Sequence, residues 1–306
     1  MHQQTNKTLT IKNQTDMKTN IYQIITERIS EQLEKGIIPW QKPWTGLGVE
    51  DGGAINYVTR KPYSMLNQML LMKEGEYLTY KQITALGGKL KKGAKAGMVV
   101  FYAPQVVKKE SIEETEKEQE VSTYPLLRYY NVFHLDDVEG IESKIKTETV
   151  PTCQAIESAE KIINDYVRRE TNLKFQNDKP SDRAYYSPAT DSVVVPMLSQ
   201  YLVPEEYYST TFHELTHSTL HESRLNRKSD CKFAAFGSAD YSREELVAEM
   251  GSAMLCSVAK LDCEKAFKNS VAYIQSWLIA LNNDKKMIVW ASSRAEKAAK
   301  YIIGKK

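Results

Sequence analysis

The five residues His213-Glu214-Leu215-Thr216-His217 restrict this chain more than any other stretch, because an HExxH pattern has its meaning only on a helix. Residues four apart on a helix stand one turn apart on the same face, so two imidazoles at that spacing converge on one point and suit a single zinc ion. The flanking residues supply the helix. Pro204 fits a first helical turn, Glu205 and Glu206 fall where the positive end of the helix dipole favours carboxylates, and neither Gly nor Pro interrupts the run as far as His221. A helix over 204–221 is therefore predicted. The competing reading is an amphipathic helix whose two histidines are exposed or satisfied in a core. His221 continues the four-residue series, but no Gly bends the chain before it, and one turn further along a straight helix it does not easily share the ion. It is read as structural or as a support behind the ligands.

A catalytic zinc takes three protein ligands and keeps a position for water, so a third ligand has to come from downstream. The best source is Ser242-Arg243-Glu244-Glu245-Leu246-Val247-Ala248-Glu249. A carboxylate near the start of a second helix, about thirty residues after the first, resembles the gluzincin arrangement, in which an ExxxE pair supplies one ligand and one acceptor behind it. Carried over, Glu245 binds the metal, and Glu249 accepts the N–H of one zinc histidine and fixes its tautomer. Ser242 followed three residues later by Glu245 is also a capping box, and a carboxylate folded back onto the backbone N–H of Ser242 is not available to a metal. In that case Glu249 becomes the ligand, and an aspartate elsewhere is a further source.

These parts imply peptide hydrolysis. Zinc brings the pKa of its water toward neutrality and polarises the scissile carbonyl, while Glu214 takes the proton and passes it to the leaving amine. Zinc is the default ion by affinity order, with manganese and cobalt as alternatives. Tyr241 and Tyr186 are candidates for an oxyanion donor. The strand Val193-Val194-Val195 is a candidate sheet edge for an extended protein substrate. Nuclease chemistry is disfavoured, since nucleases usually gather carboxylates around two metals.

A chain of 306 residues is long enough for two cores, and the composition changes along it. The polar residues 1–17 lack an apolar repeat and are expected to form a disordered tail. Ile21, Ile24, Ile25, Ile29 and Leu33 recur at three- and four-residue steps and predict a helix that ends before Gly36. Short helices are predicted over 62–72 and 79–86, and strands over 98–102 and 126–133, paired as a long β-hairpin around a charged loop or hairpin insertion at 106–125. Residues 138–151 read as the linker. Beyond it come a helix near 152–169, two short strands within 184–196, and helices near 204–221, 242–260, 264–282 and 290–303. The expected fold is α+β: an N-terminal α+β domain over 18–146 and a mostly helical domain with a small β-sheet over 147–306. No window is long and apolar enough to span a membrane, the start lacks a secretory pattern, and the four cysteines form no CxxC pair; a cytoplasmic setting is expected.

The net charge of +2 averages unlike segments. Residues 1–105 hold 14 Lys/Arg against 8 Asp/Glu (+6), residues 106–125 hold 3 against 6 (−3), and residues 126–306 hold 24 against 25 (−1). In the basic segment the cations interleave with aromatic residues, among them Trp40, Lys42, Trp44, Tyr63, Tyr80, Lys81, Lys91 and Lys92. Exposed, such a set would stack on unpaired bases and follow their phosphates. Buried, the same aromatics would be core beneath a solvated charged face, and composition does not choose between the two.

The chain resembles the ArdC-type antirestriction proteins of conjugative plasmids and related mobile elements over nearly all of its ordered length. The similarity is carried by Pro39-Trp40-Gln41-Lys42-Pro43-Trp44, Tyr63 with Asn67, Tyr77-Leu78-Thr79-Tyr80-Lys81-Gln82, Lys91-Lys92-Gly93 and Phe101-Tyr102. In the second half it is carried by Ala184-Tyr185-Tyr186, Asp191, the HExxH helix, Arg224-Leu225-Asn226-Arg227, Glu244 to Glu249, and Trp277-Leu278. Met65 and His134 depart from the family pattern. The resemblance implies an N-terminal domain that binds single-stranded DNA and a C-terminal zincin-like metallopeptidase domain of gluzincin type, acting together to protect incoming DNA from host restriction. The alternative is a protein that coats single-stranded DNA, with the metal domain as a non-catalytic scaffold.

Overall fold

The computed structural model describes residues 21–41, 53–108, 121–145, 152–227, 239–262 and 271–305. The expected tail over 1–17 lies outside them. The first helix, α1, covers 21–34 and is followed by a 3-10 turn at Pro39–Gln41. A four-stranded sheet then forms in the order β1-β2-β5-β4, from β1 (Ala54–Asn56), β2 (Gly75–Leu78), β4 (Gly97–Lys108) and β5 (Val121–His134). β1 and β2 run parallel, and the other pairings are antiparallel. β3 (Lys89–Leu90) pairs with β6 (Val138–Glu139) in a separate ribbon. The β4–β5 hairpin continues into the segment expected as a charged loop or hairpin insertion, pairing as far as Lys108 with Val121; residues 109–120 lie outside the described ones.

Two short helices attach to this sheet: α2 (Met65–Leu71) and α3 (Tyr80–Ala85), the latter opened by the capping box of Thr79 and Gln82. α2 reaches both sheet edges with its amide side chains. Asn67 donates from Nδ2 to the Val100 carbonyl at 2.9 Å and accepts the Val100 N–H at Oδ1 at 2.7 Å, standing in for a neighbouring strand on β4. Gln68 does the same for β1, accepting from Ala54 N at 2.6 Å and donating to Ala54 O at 3.0 Å. An exposed strand edge invites pairing with another chain, and here one backbone pair on each edge is already taken from within.

The second half contains α4 (Thr152–Arg169), α5 (Pro204–Ser218), α6 (Ala239–Ala259), α7 (Val271–Asn283) and α8 (Met287–Ile302). Its sheet has three strands, β7 (Lys174–Gln176), β8 (Tyr185–Ser187) and β9 (Ser192–Val194), in the order β7-β9-β8. β7 has no strong sequence signal and pairs parallel to β9. This corrects one expectation: the Val193 strand is central, hydrogen-bonded on both sides, so it offers no edge to a substrate.

The largest buried cluster takes residues from both sides of 138–151. Ile25, Ile29 and Leu33 of α1, each at most 1% exposed, join it together with Phe212, Leu215, Met250 and Ile288 of the second half. Trp40 packs edge-on against Trp277 with ring centroids 6.0 Å apart, and Thr26 Oγ1 donates to the Lys285 carbonyl at 2.9 Å. The start of the chain thus completes the core in which the HExxH helix is set.

Candidate metal centre and nucleic-acid interface

α5 begins as its sequence dictates, with Pro204 in the first turn and Glu205 and Glu206 beside it. It ends at Ser218 instead of running to 221, so His221 lies past the helix, where its Nδ1 meets Ser223 Oγ at 2.8 Å. Phe212, Leu215 and Thr216 face inward and are fully buried. α6 crosses close against them because it presents Gly251 to Thr216: a Cβ at Gly251 would lie 2.6 Å from Thr216 Cγ2. That approach brings the glutamates of α6 within reach of the histidines of α5.

α6 starts at Ala239, so Ser242 is already inside the helix and the capping-box alternative for Glu245 does not arise. Glu245 instead turns to the two imidazoles. His213 Nε2 and His217 Nε2 are 3.1 Å apart, Glu245 Oε2 is 3.5 Å from the former, and Glu245 Oε1 is 3.4 Å from the latter. Ligand atoms about 2.0–2.1 Å from a tetrahedral zinc would stand about 3.3 Å from one another, so these three groups fit one divalent ion. They are the potential metal cluster found among the described residues.

The electrostatics agree with that geometry. Burial opposes protonation of His217, but the hydrogen bonds and charges of Glu244 and Glu245 outweigh it and push its pKa up to about 10. His213 is raised as well: burial again works against its charge, and the Glu245 hydrogen bond with the charges of Glu214 and Glu249 prevails. Burial would raise Glu245, yet the hydrogen bonds from His213 and His217 hold it well below the usual carboxylate range. The carboxylates thus favour positive charge at this point, which protons on the imidazoles supply when no ion is bound.

A second row of residues holds the first. His217 Nδ1 donates to Glu244 Oε1 at 3.4 Å, and Glu244 Oε2 accepts from Arg227 Nη1 at 2.7 Å. Arg227 is 5% exposed and also donates to Thr216 O and Thr219 Oγ1. Sequence reasoning named Glu249 as the acceptor and missed Glu244. The charge of Glu249 acts on His213, while Glu244, rotated by one residue from Glu245, reaches the other side of His217. The adjacent pair Glu244-Glu245 opposite an i, i+4 histidine pair was the available signal.

Tyr186 is corrected as an oxyanion donor. Its hydroxyl donates to Asp191 Oδ1 at 2.9 Å and receives a 3.3 Å hydrogen bond from Arg224 Nη2, so its proton is already committed. Arg224 grips Asp191 with both terminal nitrogens and donates from Nε to the Ser218 carbonyl at 2.6 Å, tying the β8–β9 turn to the end of α5. Burial works against the charge of Asp191, but the hydrogen bonds from Arg224 and Tyr186 keep its pKa below the usual range. The side chain of Tyr241 lies outside the described residues.

The candidate DNA contacts divide. Trp40 (0% exposed) and Asn67 (1%) are inside, the first in the core and the second bonded to β4, and Tyr63 is buried at 7%, so none of them offers a face for base stacking. This corrects the stacking role expected of Trp40 and Tyr63 and the contact expected of Asn67. Lys42 and Trp44 lie outside the described residues. Tyr80, 62% exposed, and Lys81, Lys91 and Lys92 are on the surface. The hairpin adds residues not named from sequence as DNA contacts: Phe101 and Tyr130, each 46% exposed and in T-shaped contact at 5.8 Å, with the exposed Arg128 paired opposite Phe101.

Comparison with known proteins gives matches to both halves. A model for the N-terminal domain of anti-restriction factor ArdC matches residues 19–133, and one for a zincin-like metallopeptidase matches residues 159–294. Two Escherichia coli proteins named DNA primase TraC are 30% identical over 301 and 303 residues, each match taking in 94% of this chain. The chain spans only 20% and 27% of the length of those primases. The uncharacterized protein y4eC of Sinorhizobium fredii is 28% identical over 293 residues, 93% of this chain and 92% of its own. The metal-free crystal structure of antirestriction ArdC from plasmid R388 superposes with a TM-score of 0.69 at 29% identity, covering 93% of this chain and 98% of that one. The Mn(II)-bound structure gives 0.66 at 29% identity, covering 92% and 96%.

Proposed function

Because the chain belongs to the ArdC-type antirestriction family, with an ArdC N-terminal domain followed by a zincin-like domain, we propose that it binds single-stranded DNA and hydrolyses a peptide bond at a metal centre, protecting incoming DNA from restriction. The domains are taken as 18–146 and 147–306. The observation that carries the catalytic reading is the spacing of His213, His217 and Glu245, which suits one divalent ion. Zinc is the expected ion, with manganese or cobalt as alternatives; one R388 ArdC structure holds Mn(II).

A bound divalent ion supplies Lewis acidity to a water and to the scissile carbonyl. The chain supplies the rest. Glu214, 7% exposed and beside His213 on α5, takes the proton from the water and returns it to the leaving amine. Glu244 accepts a hydrogen bond from the Nδ1–H of His217, which would leave the Nε2 lone pair free to bind the ion, and Arg227 holds Glu244 in place. In the first half, Phe101, Tyr130 and Tyr80 offer faces for stacking, and Lys81, Lys91, Lys92 and Arg128 offer charge to the phosphates. No described helix is long and apolar enough to cross a membrane.

The test compares cell proteins exposed to the full chain and to Glu214→Gln. A protein cleaved by the first and spared by the second is the expected result. Unchanged protection from restriction by Glu214→Gln would instead favour a DNA-coating role with a scaffold metal domain.

A further inference from the structure

We propose that the cleft between α8 and the edge of β4 seats one unpaired base, so that a single strand is gripped by both halves of the chain at once. This rests on the single-strand reading above and adds where a base goes. The cleft encloses about 530 Å³, within the range of roughly 300–1,000 Å³ typical of sites for small organic molecules. Leu127, Val100 and Phe101 line it from the first half, and Val289, Ser293 and Glu296 from α8. Its chemistry suits a base: apolar walls for the flat faces, and hydroxyl and carboxylate groups for the edge.

Glu296 is an acceptor for an exocyclic amino group, and its charge is partly offset, since Oε1 accepts from Lys300 at 2.7 Å and Oε2 from the Met65 N–H at 3.2 Å. Lys61 stands at the exposed mouth, where the phosphate of the same nucleotide would lie. Phe101 forms the rim, half-exposed, with Tyr130 against it and Arg128 across the hairpin on the same face, so the neighbouring base has a stacking partner and its phosphate a cation. The cleft suits a base better than an extended peptide. The backbone N–H and carbonyl of Val100, which a peptide strand would use, are both taken by Asn67.

The experiment uses the full chain and a fluorescent cytosine-rich 20-mer at fixed salt. Ser293→Trp, at an exposed position of α8, fills the cleft from the second half, and it should weaken binding about tenfold, as should Phe101→Ala. In parallel, the oligonucleotide should slow maleimide labelling of the thiol in Ser293→Cys about tenfold, read by mass spectrometry of the α8 peptide, which does not depend on a bulky substitution folding. Wild-type affinity in Ser293→Trp, or labelling of Ser293→Cys indifferent to DNA, overturns the inference; if Phe101→Ala still weakens binding, the single-strand reading stands without it. A wild-type chain that binds no oligonucleotide removes both.

Discussion

Around the candidate metal centre a chain of polar groups holds His217 in place, whereas on the hairpin Phe101, Arg128, Tyr129 and Tyr130 lie open to solvent. His217 is fixed by Glu244, Glu244 by Arg227, and Arg227 by the end of α5, all nearly buried. Phe101 leans on Tyr130 and on the edge of Tyr63, yet Phe101 and Tyr130 each keep 46% of their surface exposed, and Tyr80 is mostly exposed. In a buried network, loss of one member leaves its partner desolvated and unpaired, so effects are large and coupled. On an open surface each contact acts nearly alone and is screened by salt. The two regions should therefore respond differently to mutation, pH and ionic strength.

The sharpest contrast is catalytic. Glu214→Gln should lower peptide hydrolysis by about 10²–10⁴-fold while metal content and oligonucleotide affinity stay at wild-type values, as measured by elemental analysis and fluorescence anisotropy. Burial separates two aromatic residues of the same basic segment: Trp40→Ala should cost about 3–5 kcal/mol in denaturant unfolding, and Tyr80→Ala should leave the melting temperature unchanged. Comparable losses for the two would erase the distinction drawn here. Glu244→Gln should weaken metal affinity about tenfold in a competition titration, with DNA affinity untouched.

A pH series probes the same contrast. With metal removed by a chelator, the raised pKa of His217, about 10, means its stabilising pair is fully present below about 6.5 and lost as pH rises toward about 10. The lowered pKa of Glu245 sets the acid limit, its contribution being present above the ordinary glutamate value and lost on acidification. The melting temperature of the chelated chain should accordingly fall from pH 6.5 to 10. Added zinc should reverse that trend, because metal binding displaces the protons from His213 and His217. The smallest effect belongs to the surface: Lys92→Ala should reduce the salt slope of oligonucleotide binding by about one unit and change nothing at the metal centre.

Much of the metal centre is legible in the sequence because its geometry is local. Two histidines four apart on a helix share a face whatever surrounds them, and Glu245 was reached by looking for a carboxylate on the following helix. Glu244 was not, because which of two adjacent glutamates meets which histidine nitrogen depends on how α6 rotates against α5, and that rotation is set by Gly251 meeting Thr216. The limit at Ser218 escaped notice for a related reason: the turn is closed by Arg224 and Arg227, from beyond the helix.

In the first half the same residue types gave less. Trp40 and Asn67 lie in motifs that suggest a binding surface, and each is used for construction, one as core and the other as a substitute strand for β4. The α+β order of elements, the paired strands of the hairpin and the face on which the two imidazoles converge are written in the sequence, since they follow from periodicities of two and 3.6 residues along one segment. Only the tertiary structure decided which aromatics are covered, which glutamate supports His217, and that a cleft opens between β4 and α8. Those outcomes depend on contacts between segments far apart in the chain, where burial and register are settled by packing.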